Sequence, residues 1–152
     1  MAANLPQGDM AMPSDLQPLG LAIKRVQHRH HRTLDAALIE IGTTLAQWDA
    51  LRAIARHPES SSHKLAGLTF QTDQSFGALA NRMVDRGLIR RVAGEGRAIL
   101  HYLTAEGEAM LAAGHAVADR MLAASFAPLD KSERKQLQAL LAKLLGDDAP
   151  RG

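Results

Sequence analysis

The chain has 152 residues and contains no cysteine. It can therefore form no disulfide bond, and no thiol can serve it as an oxidant sensor. Aromatic residues are scarce, at 3% of the sequence, and no apolar run reaches the roughly 18 residues that a transmembrane helix needs. The first residues, MAANLPQGDMAMPSD, lack the basic segment and apolar core that are typical of a secretory signal. These absences predict a cytoplasmic protein with no membrane segment.

The common catalytic motifs are missing as well. The sequence contains no G-x-S-x-G, no H-E-x-x-H and no phosphate-binding loop. Gly94 and Gly96 stand two residues apart, but they fall in a predicted turn rather than between a strand and a helix. We therefore expect that the protein is not an enzyme, and no residue pattern indicates a cofactor.

The residues that are abundant, alanine and leucine, favour helices. Apolar spacing predicts four long helices, at residues 16–41, 45–56, 105–126 and 129–145. Pro58 and Pro128 end two of them, and Asp130 followed by Glu133 is a capping-box pattern at the start of the last. Together with the segment at 60–104, this predicts a mainly α fold with a small β wing.

Residues 60–104 are predicted to form a short helix, a turn, a second helix and a hairpin. Thr72 is a suitable N-cap for the second helix, and Gly87 suits a left-handed C-terminal cap. One apolar stripe follows the spacing i, i+3, i+4 and i+7, at Phe76, Leu79, Ala80 and Met83. The opposite face carries short polar side chains. This face suits close approach to base edges in a major groove.

The hairpin begins near Leu88, turns at 94–96 and returns over 98–103. A helix-turn-helix followed by such a wing is a shape that enters DNA grooves. Three acidic and six basic residues lie in 60–104, which leaves a net charge of +3 with histidine neutral; the basic ones are Lys64, Arg82, Arg86, Arg90, Arg91 and Arg97. A local basic excess of this kind is what phosphate binding needs.

Three stretches resemble the winged-helix core of the MarR (multiple antibiotic resistance regulator) family of transcription factors. They are LAQWDALRAIARHP at 45–58, NRMVDRGLIRR at 81–91, and the wing motif formed by Glu95-Gly96-Arg97 and Leu-Thr-Ala-Glu-Gly at 103–107. The resemblance extends over residues 16–146. The sequence departs from the family where Glu95 replaces the usual aspartate and where Gly77 lies inside the second motif helix.

The resemblance implies one domain at 16–146, with a DNA-binding winged helix at 45–104 and dimerisation helices at 16–41 and 105–146. The ends of the chain, 1–15 and 147–152, are predicted to be a flexible tail and a frayed tail. The implied protein is a homodimeric repressor on a pseudo-palindromic double-stranded operator, with half-sites roughly 34 Å apart.

The resemblance and the spacing together give the candidate DNA contacts. They are Lys64, Gln71, Thr72, Gln74, Ser75, Ala78, Arg82, Arg91, Glu95 and Arg97. Arg97 is expected in or beside the minor groove, and Arg91 and Lys64 on phosphates. The residues expected in the major groove are Gln71, Thr72, Gln74, Ser75 and Ala78. Arg82 and Arg86 are either phosphate contacts or charges favoured by the helix dipole, and the sequence supports both interpretations equally.

The family resemblance also implies a small aromatic or phenolic effector, bound in a cleft between the dimerisation helices and the DNA-binding lobe. The candidate cleft residues are His31, Trp48 and Arg52. A lone tryptophan is, however, more often a core anchor than a ligand contact.

Two alternatives remain open at this point. His28 and His31 stand at i, i+3 on a helix, which would suit a metal-responsive regulator if further ligands joined them. A winged helix that binds a protein instead of specific DNA is the other alternative, favoured by the low overall charge of +2.

Overall fold

A computed structural model describes residues 15–146 of the chain. The predicted tails at 1–15 and 147–152 lie outside the described residues, except for Asp15. The described elements are α1 (Leu16–Glu40), α2 (Leu45–Arg56), α3 (Ser62–Leu68), α4 (Asp73–Asp85), β1 (Ile89–Ala93), β2 (Ile99–Leu103), α5 (Ala105–Phe126) and α6 (Lys131–Leu145). The predicted fold class, mainly α with a small β wing, is confirmed.

Side-chain caps fix where five of the described helices begin. In each, the residue before the helix accepts a hydrogen bond from the backbone N–H three positions later; these caps are Thr44, Ser61, Thr72, Thr104 and Asp130. The predicted capping box is confirmed, since Glu133 also accepts from the backbone N–H of Asp130 at 2.8 Å. A cap of this type stabilises a helix by about 0.5–2 kcal/mol.

Two apolar clusters hold the described residues together. The first lies inside the winged helix, where α2, α3, α4 and β1 meet; its largest members are Leu51, Ile54, Leu65, Phe76 and Met83. The second joins α1, α2 and α5 and is formed by Leu38, Leu45, Trp48, Val117 and Ala118. Because α2 contributes to both clusters, it connects the terminal helices to the DNA-binding lobe.

Trp48 is the centre of the second cluster. Its side chain is 3% exposed, and its indole N–H donates to the carbonyl oxygen of Leu111 at 3.2 Å. Gly114 of α5 lies against the same ring, so closely that a Cβ there would stand 2.1 Å from the indole nitrogen. The packing agrees with the interpretation of this tryptophan as a core anchor.

The last helix, α6, buries none of its residues. Its apolar side chains are exposed in the single chain, at Leu140, Leu141, Leu144 and Leu145. An amphipathic helix of fifteen residues is not stable without a partner for its apolar side. In the described part of the chain, no helix is both long and apolar enough to cross a membrane.

Candidate nucleic-acid interface

The helix α4 has the two faces that its sequence predicts. Its apolar stripe is buried against the core of the winged helix, at Phe76, Leu79, Ala80 and Met83. Its opposite face is exposed and carries Gln74, Ser75, Ala78, Asn81 and Arg82. Because all of these are short except for Arg82, the helix backbone can approach a surface closely on this side. A Cβ at Gly77 would meet no atom within 4 Å, so the glycine serves no packing contact within the described residues.

The turn before α4 is held by hydrogen bonds of its own. The backbone N–H of Gln71 donates to the carbonyl oxygen of Ala66 at 2.9 Å, and its side-chain amide donates to Thr69 Oγ1 at 3.3 Å. Thr72 Oγ1 accepts from the backbone N–H of Ser75 at 3.1 Å. Two of the candidate DNA contacts, Gln71 and Thr72, therefore also fix the position of the helix N-terminus.

The wing is a two-stranded antiparallel hairpin. The register pairs Ile89 with Leu103 and Ala93 with Ile99, so the second strand begins one residue later than the sequence predicts. Gly96 adopts a φ of +65° at the tip, a conformation that favours glycine. Glu95 and Arg97 are exposed on either side of it. Both candidate wing residues thus lie in the exposed turn between β1 and β2.

One hydrogen bond joins the wing to α4. Arg91 of β1 donates from Nη2 to Asn81 Oδ1 at 2.7 Å. The Arg91 side chain is exposed and lies beside the outer face of the helix. Lys64 of α3 is also exposed. Both are exposed cations on elements that pack against α4, and such side chains suit phosphate contacts.

His101 is a buried residue that the sequence interpretation does not identify. It is 0% exposed at the base of the wing. Its Nδ1 hydrogen bonds to the carbonyl oxygen of Ser60 at 3.0 Å, its Nε2 lies 3.3 Å from Ser62 Oγ, and its ring meets Phe76 edge-on. Burial lowers the pKa of this imidazole. His101 therefore connects β2, the start of α3 and α4 through one neutral side chain.

The two arginines at the end of α4, Arg82 and Arg86, have different surroundings in the structure. Arg86 donates from Nη1 to Gln47 Oε1 at 2.6 Å and from Nη2 to the carbonyl oxygen of Gly42. It therefore ties the C-terminal end of α4 to α2 and to the loop before α2, a role that differs from both sequence interpretations. The Arg82 side chain makes no hydrogen bond to the described residues and is exposed, so it stays a candidate phosphate contact.

The candidate cleft residues do not line one common cavity. His31 lines an open groove of about 600 Å³ between α1, α5 and α6, whereas Arg52 lines another between α2 and α3. Arg52 also stacks over the Trp48 ring at 4.6 Å and lies 3.3 Å from Asp49. Asp49 lines both grooves; burial raises its pKa, although Arg52 acts in the opposite direction.

A different groove lies where a cleft between the dimerisation helices and the DNA-binding lobe is expected. It has a volume of about 450 Å³ and is bounded by α2, the wing and α5. Its polar lining includes Arg90, Tyr102, Glu108 and His115, and the Arg90 guanidinium lies 4.6 Å above the Tyr102 ring. None of the three sequence candidates lines this groove.

The histidines of α1 form no metal site in the described structure. Within residues 15–146 there is no group of three or more histidine, aspartate or glutamate side chains placed to hold an ion. His28 and His31 line separate surfaces of the helix. The metal-responsive alternative therefore has no support from the geometry.

Comparison with known proteins places this geometry among regulators. The model of the MarR family matches residues 41–98. A probable transcriptional regulator from Pseudomonas aeruginosa is 32% identical, with 83% of this chain and 96% of that one covered and a TM-score of 0.72. A MarR family protein of Mycobacterium tuberculosis, solved with p-aminosalicylic acid, is 30% identical, with 84% and 98% covered and a TM-score of 0.71.

Two further structures were solved with DNA. The Mycobacterium tuberculosis protein in complex with DNA is 28% identical, with 84% of this chain and 97% of that one covered and a TM-score of 0.72. A mutant of MarR from Escherichia coli, complexed with operator DNA, is 23% identical, with 86% and 96% covered and a TM-score of 0.77; at that identity the likeness shows the fold alone. A search of the curated proteins gives no match.

Proposed function

The chain belongs to the MarR family of transcription regulators, and we propose that it is a dimeric repressor that binds a specific operator and responds to a small aromatic acid. Members of this family are regulators and not enzymes. The observation that carries the proposal is the exposed face of α4 beside a wing with Glu95 and Arg97 at its tip.

The DNA-binding part of the proposal rests on how these side chains are presented. Gln74, Ser75 and Ala78 lie on the exposed face near the N-terminus of α4, the end of a recognition helix that reads base edges. Arg91, Lys64 and Arg82 are exposed cations around that face, suited to phosphate contacts that position the helix but carry no sequence information. Arg97 at the hairpin tip is suited to the neighbouring minor groove.

The dimer part of the proposal rests on apolar surface that a single chain leaves uncovered. Of the sixteen large hydrophobic side chains that are exposed among the described residues, ten lie in α1 and α6. These two helices border the groove that contains Ile23, Val26, Leu137 and Leu141. A second copy of the chain would cover them by interleaving its own terminal helices, and the two-fold symmetry would double the DNA contacts. We therefore assign α1, α5 and α6 to dimerisation and 45–104 to DNA binding.

The operator part of the proposal is tested by selecting duplexes from a random pool with the purified protein. We expect the recovered sequences to contain two inverted half-sites whose centres are about one helical turn, or roughly 34 Å, apart. A scrambled duplex of the same composition is the control. A pool without any common sequence after repeated selection would contradict specific DNA binding.

The effector part of the proposal rests on the groove between α2, the wing and α5. A molecule bound there would contact both the dimerisation helix α5 and the wing, so it could favour one spacing of the two DNA-binding lobes. Arg90 supplies a cation for a carboxylate, and Tyr102 an aromatic face. The ligand weakens DNA binding only to the extent that it prefers the conformation that cannot bind DNA.

Thermal unfolding with salicylic acid and p-aminosalicylic acid, the two acids with which the similar Mycobacterium tuberculosis protein was solved, tests the effector and the position of its site. Binding to the folded state raises the melting temperature with ligand concentration, and we expect the ligand to release the selected duplex. The Arg90→Ala change should abolish the shift, whereas Arg52→Ala should preserve it. The opposite result would assign the effector site to the groove that Arg52 lines. If neither acid shifts the melting temperature of the unchanged protein, a response to these acids is contradicted.

A further inference from the structure

The turn between α3 and α4 exposes an aromatic side chain that has no function within the described fold. Phe70 is 98% exposed, while the other exposed large apolar side chains of the winged helix lie between 37% and 49%. It stands two residues before Thr72, the N-cap of α4. Exposing a whole phenyl ring to water is unfavourable, and no packing contact among residues 15–146 compensates for it.

The backbone at this position is also one that phenylalanine rarely adopts. The φ of Phe70 is +55°. Its N–H donates to the carbonyl oxygen of Gly67 at 3.3 Å, and the N–H of Gln71 donates to that of Ala66 at 2.9 Å. These two bonds form a Schellman motif, in which the left-handed residue is usually glycine. The fold therefore favours glycine here, and a large residue in its place carries backbone strain.

Neither the strain nor the exposure is offset by another residue of the described range 15–146, and the position of Phe70 along the chain indicates what would offset them. Gln71, Thr72 and Gln74, the first candidate major-groove residues, follow directly along the chain. Arg56 lines the same groove as Phe70 and is exposed, so this groove also presents a cation suited to a phosphate. The thymine methyl group is the apolar feature that a major groove offers to such a side chain.

We propose that Phe70 is a specificity-determining residue whose ring packs against a thymine methyl group of the operator, beside the point where α4 enters the major groove. This inference rests on the proposed DNA-binding function. It predicts a preference for thymine at one position of each half-site, a preference that the polar side chains of α4 do not supply.

The variant Phe70→Gly removes the proposed contact with DNA and leaves the fold intact. Glycine is the preferred residue of the motif, so we expect the melting temperature to be unchanged or higher. On the duplex selected by the unchanged protein, we expect affinity measured by fluorescence anisotropy to fall roughly tenfold, the scale of removing one buried phenyl ring from an interface. The matched control is Glu59→Gly, which replaces the other left-handed non-glycine residue (φ +63°) in the turn before α3 and should leave affinity unchanged.

A second duplex carries deoxyuridine only at the position where the thymine preference is lost in duplexes selected by Phe70→Gly, and it tests the methyl group itself. The unchanged protein should lose affinity on this duplex, whereas Phe70→Gly should bind both duplexes equally. Equal affinity of the variant and the unchanged protein for the selected duplex would overturn the inference while leaving the proposed function intact. A shift of Phe70→Gly towards monomer in sedimentation would instead assign the ring to a contact between subunits and overturn it too. If the unchanged protein selects no duplex, the proposed function fails, and this inference fails with it.

Discussion

Gly114 is the residue that lets α5 lie against the indole ring of Trp48. A methyl group at this position would stand 2.1 Å from the indole nitrogen and 2.2 Å from Cδ1, so Gly114→Ala must displace the ring or the helix. We predict that the free energy of unfolding falls by about 1–3 kcal/mol, measured by urea denaturation. The control is Gly77→Ala, whose new methyl group meets nothing within 4 Å and should stabilise α4 by roughly 0.5–1 kcal/mol. Equal effects of the two changes would contradict the packing described for α5.

His101 makes the free energy of unfolding depend on pH, with lower stability at acidic pH. Burial lowers its pKa in the folded state, and the charge of Arg91 acts in the same direction. The unfolded chain therefore binds the proton more readily, so this histidine stabilises the fold fully above its ordinary pKa of 6.5 and less as the pH falls below that value. We predict that the free energy of unfolding decreases below pH 6.5 and that this decrease is smaller in His101→Gln. Parallel pH profiles for the two proteins would contradict the prediction.

Sequence predicts single residues well where their partners are local. Thr72 caps α4 and Gly87 takes a positive φ, as expected, because both roles depend on neighbours within one helical turn. The roles of His101 and Arg86 do not follow from the sequence, since their hydrogen-bond partners lie 39 to 44 residues away along the chain. The alternation of side chains along β2, which places His101 on the inner face, is the signal that could have identified the first of them.

At the scale of elements, the two arginines near the end of α4 have different roles: Arg86 stabilises the fold, and Arg82 is a proposed DNA contact. Arg86 is bonded to Gln47 and Gly42, and we predict that Arg86→Ala lowers the free energy of unfolding by about 1–2 kcal/mol. Arg82 lies one turn earlier on the same helix and has no such bond to the described residues, so Arg82→Ala should leave stability unchanged and weaken binding to the selected duplex. Denaturation and anisotropy of both variants check this. A loss of stability in Arg82→Ala with none in Arg86→Ala would reverse the assignment.

The bounds of the helices follow mostly from capping residues and prolines in the sequence. The predicted helix at 105–126 is confirmed at both ends, because Thr104 caps its start and Pro128 follows its end. The predicted helix at 129–145 begins two residues later, at Lys131, since Asp130 acts as the cap. The wing differs by one residue at the start of β2, because hairpin register depends on the turn conformation at Gly96 more than on strand-forming residues.

At the scale of the whole molecule, the proposed dimer accounts for the helical state of α6, whose apolar side chains are exposed in the single chain. The double change Leu141→Asp and Leu144→Asp places two charges on its exposed apolar side. We predict that the protein becomes monomeric in analytical ultracentrifugation and loses most of its affinity for the selected duplex. The control is Leu68→Asp, which changes an exposed leucine of α3 outside the proposed interface. This variant should remain dimeric. A double variant that still sediments as a dimer would exclude α6 from the interface.

The arrangement of grooves is the part of the whole molecule that the sequence could not predict. The family resemblance implies one cleft, for which His31, Trp48 and Arg52 are the candidate residues. In the structure Trp48 fills the core between the helices, so His31 and Arg52 are left on separate surfaces. Which helix faces enclose a groove depends on how close the helices pack, and here Gly114 decides that distance.

The most direct test of the account is a salt titration of DNA binding by the unchanged protein and by Arg97→Ala, on the selected duplex and on its scrambled control. We predict that the unchanged protein prefers the selected duplex and weakens as salt increases. Arg97→Ala should bind more weakly, with a salt dependence whose log–log slope is smaller by about 1 for each phosphate that the arginine no longer neutralises. Equal and weak binding of the unchanged protein to both duplexes would contradict the account and favour a winged helix that binds a protein.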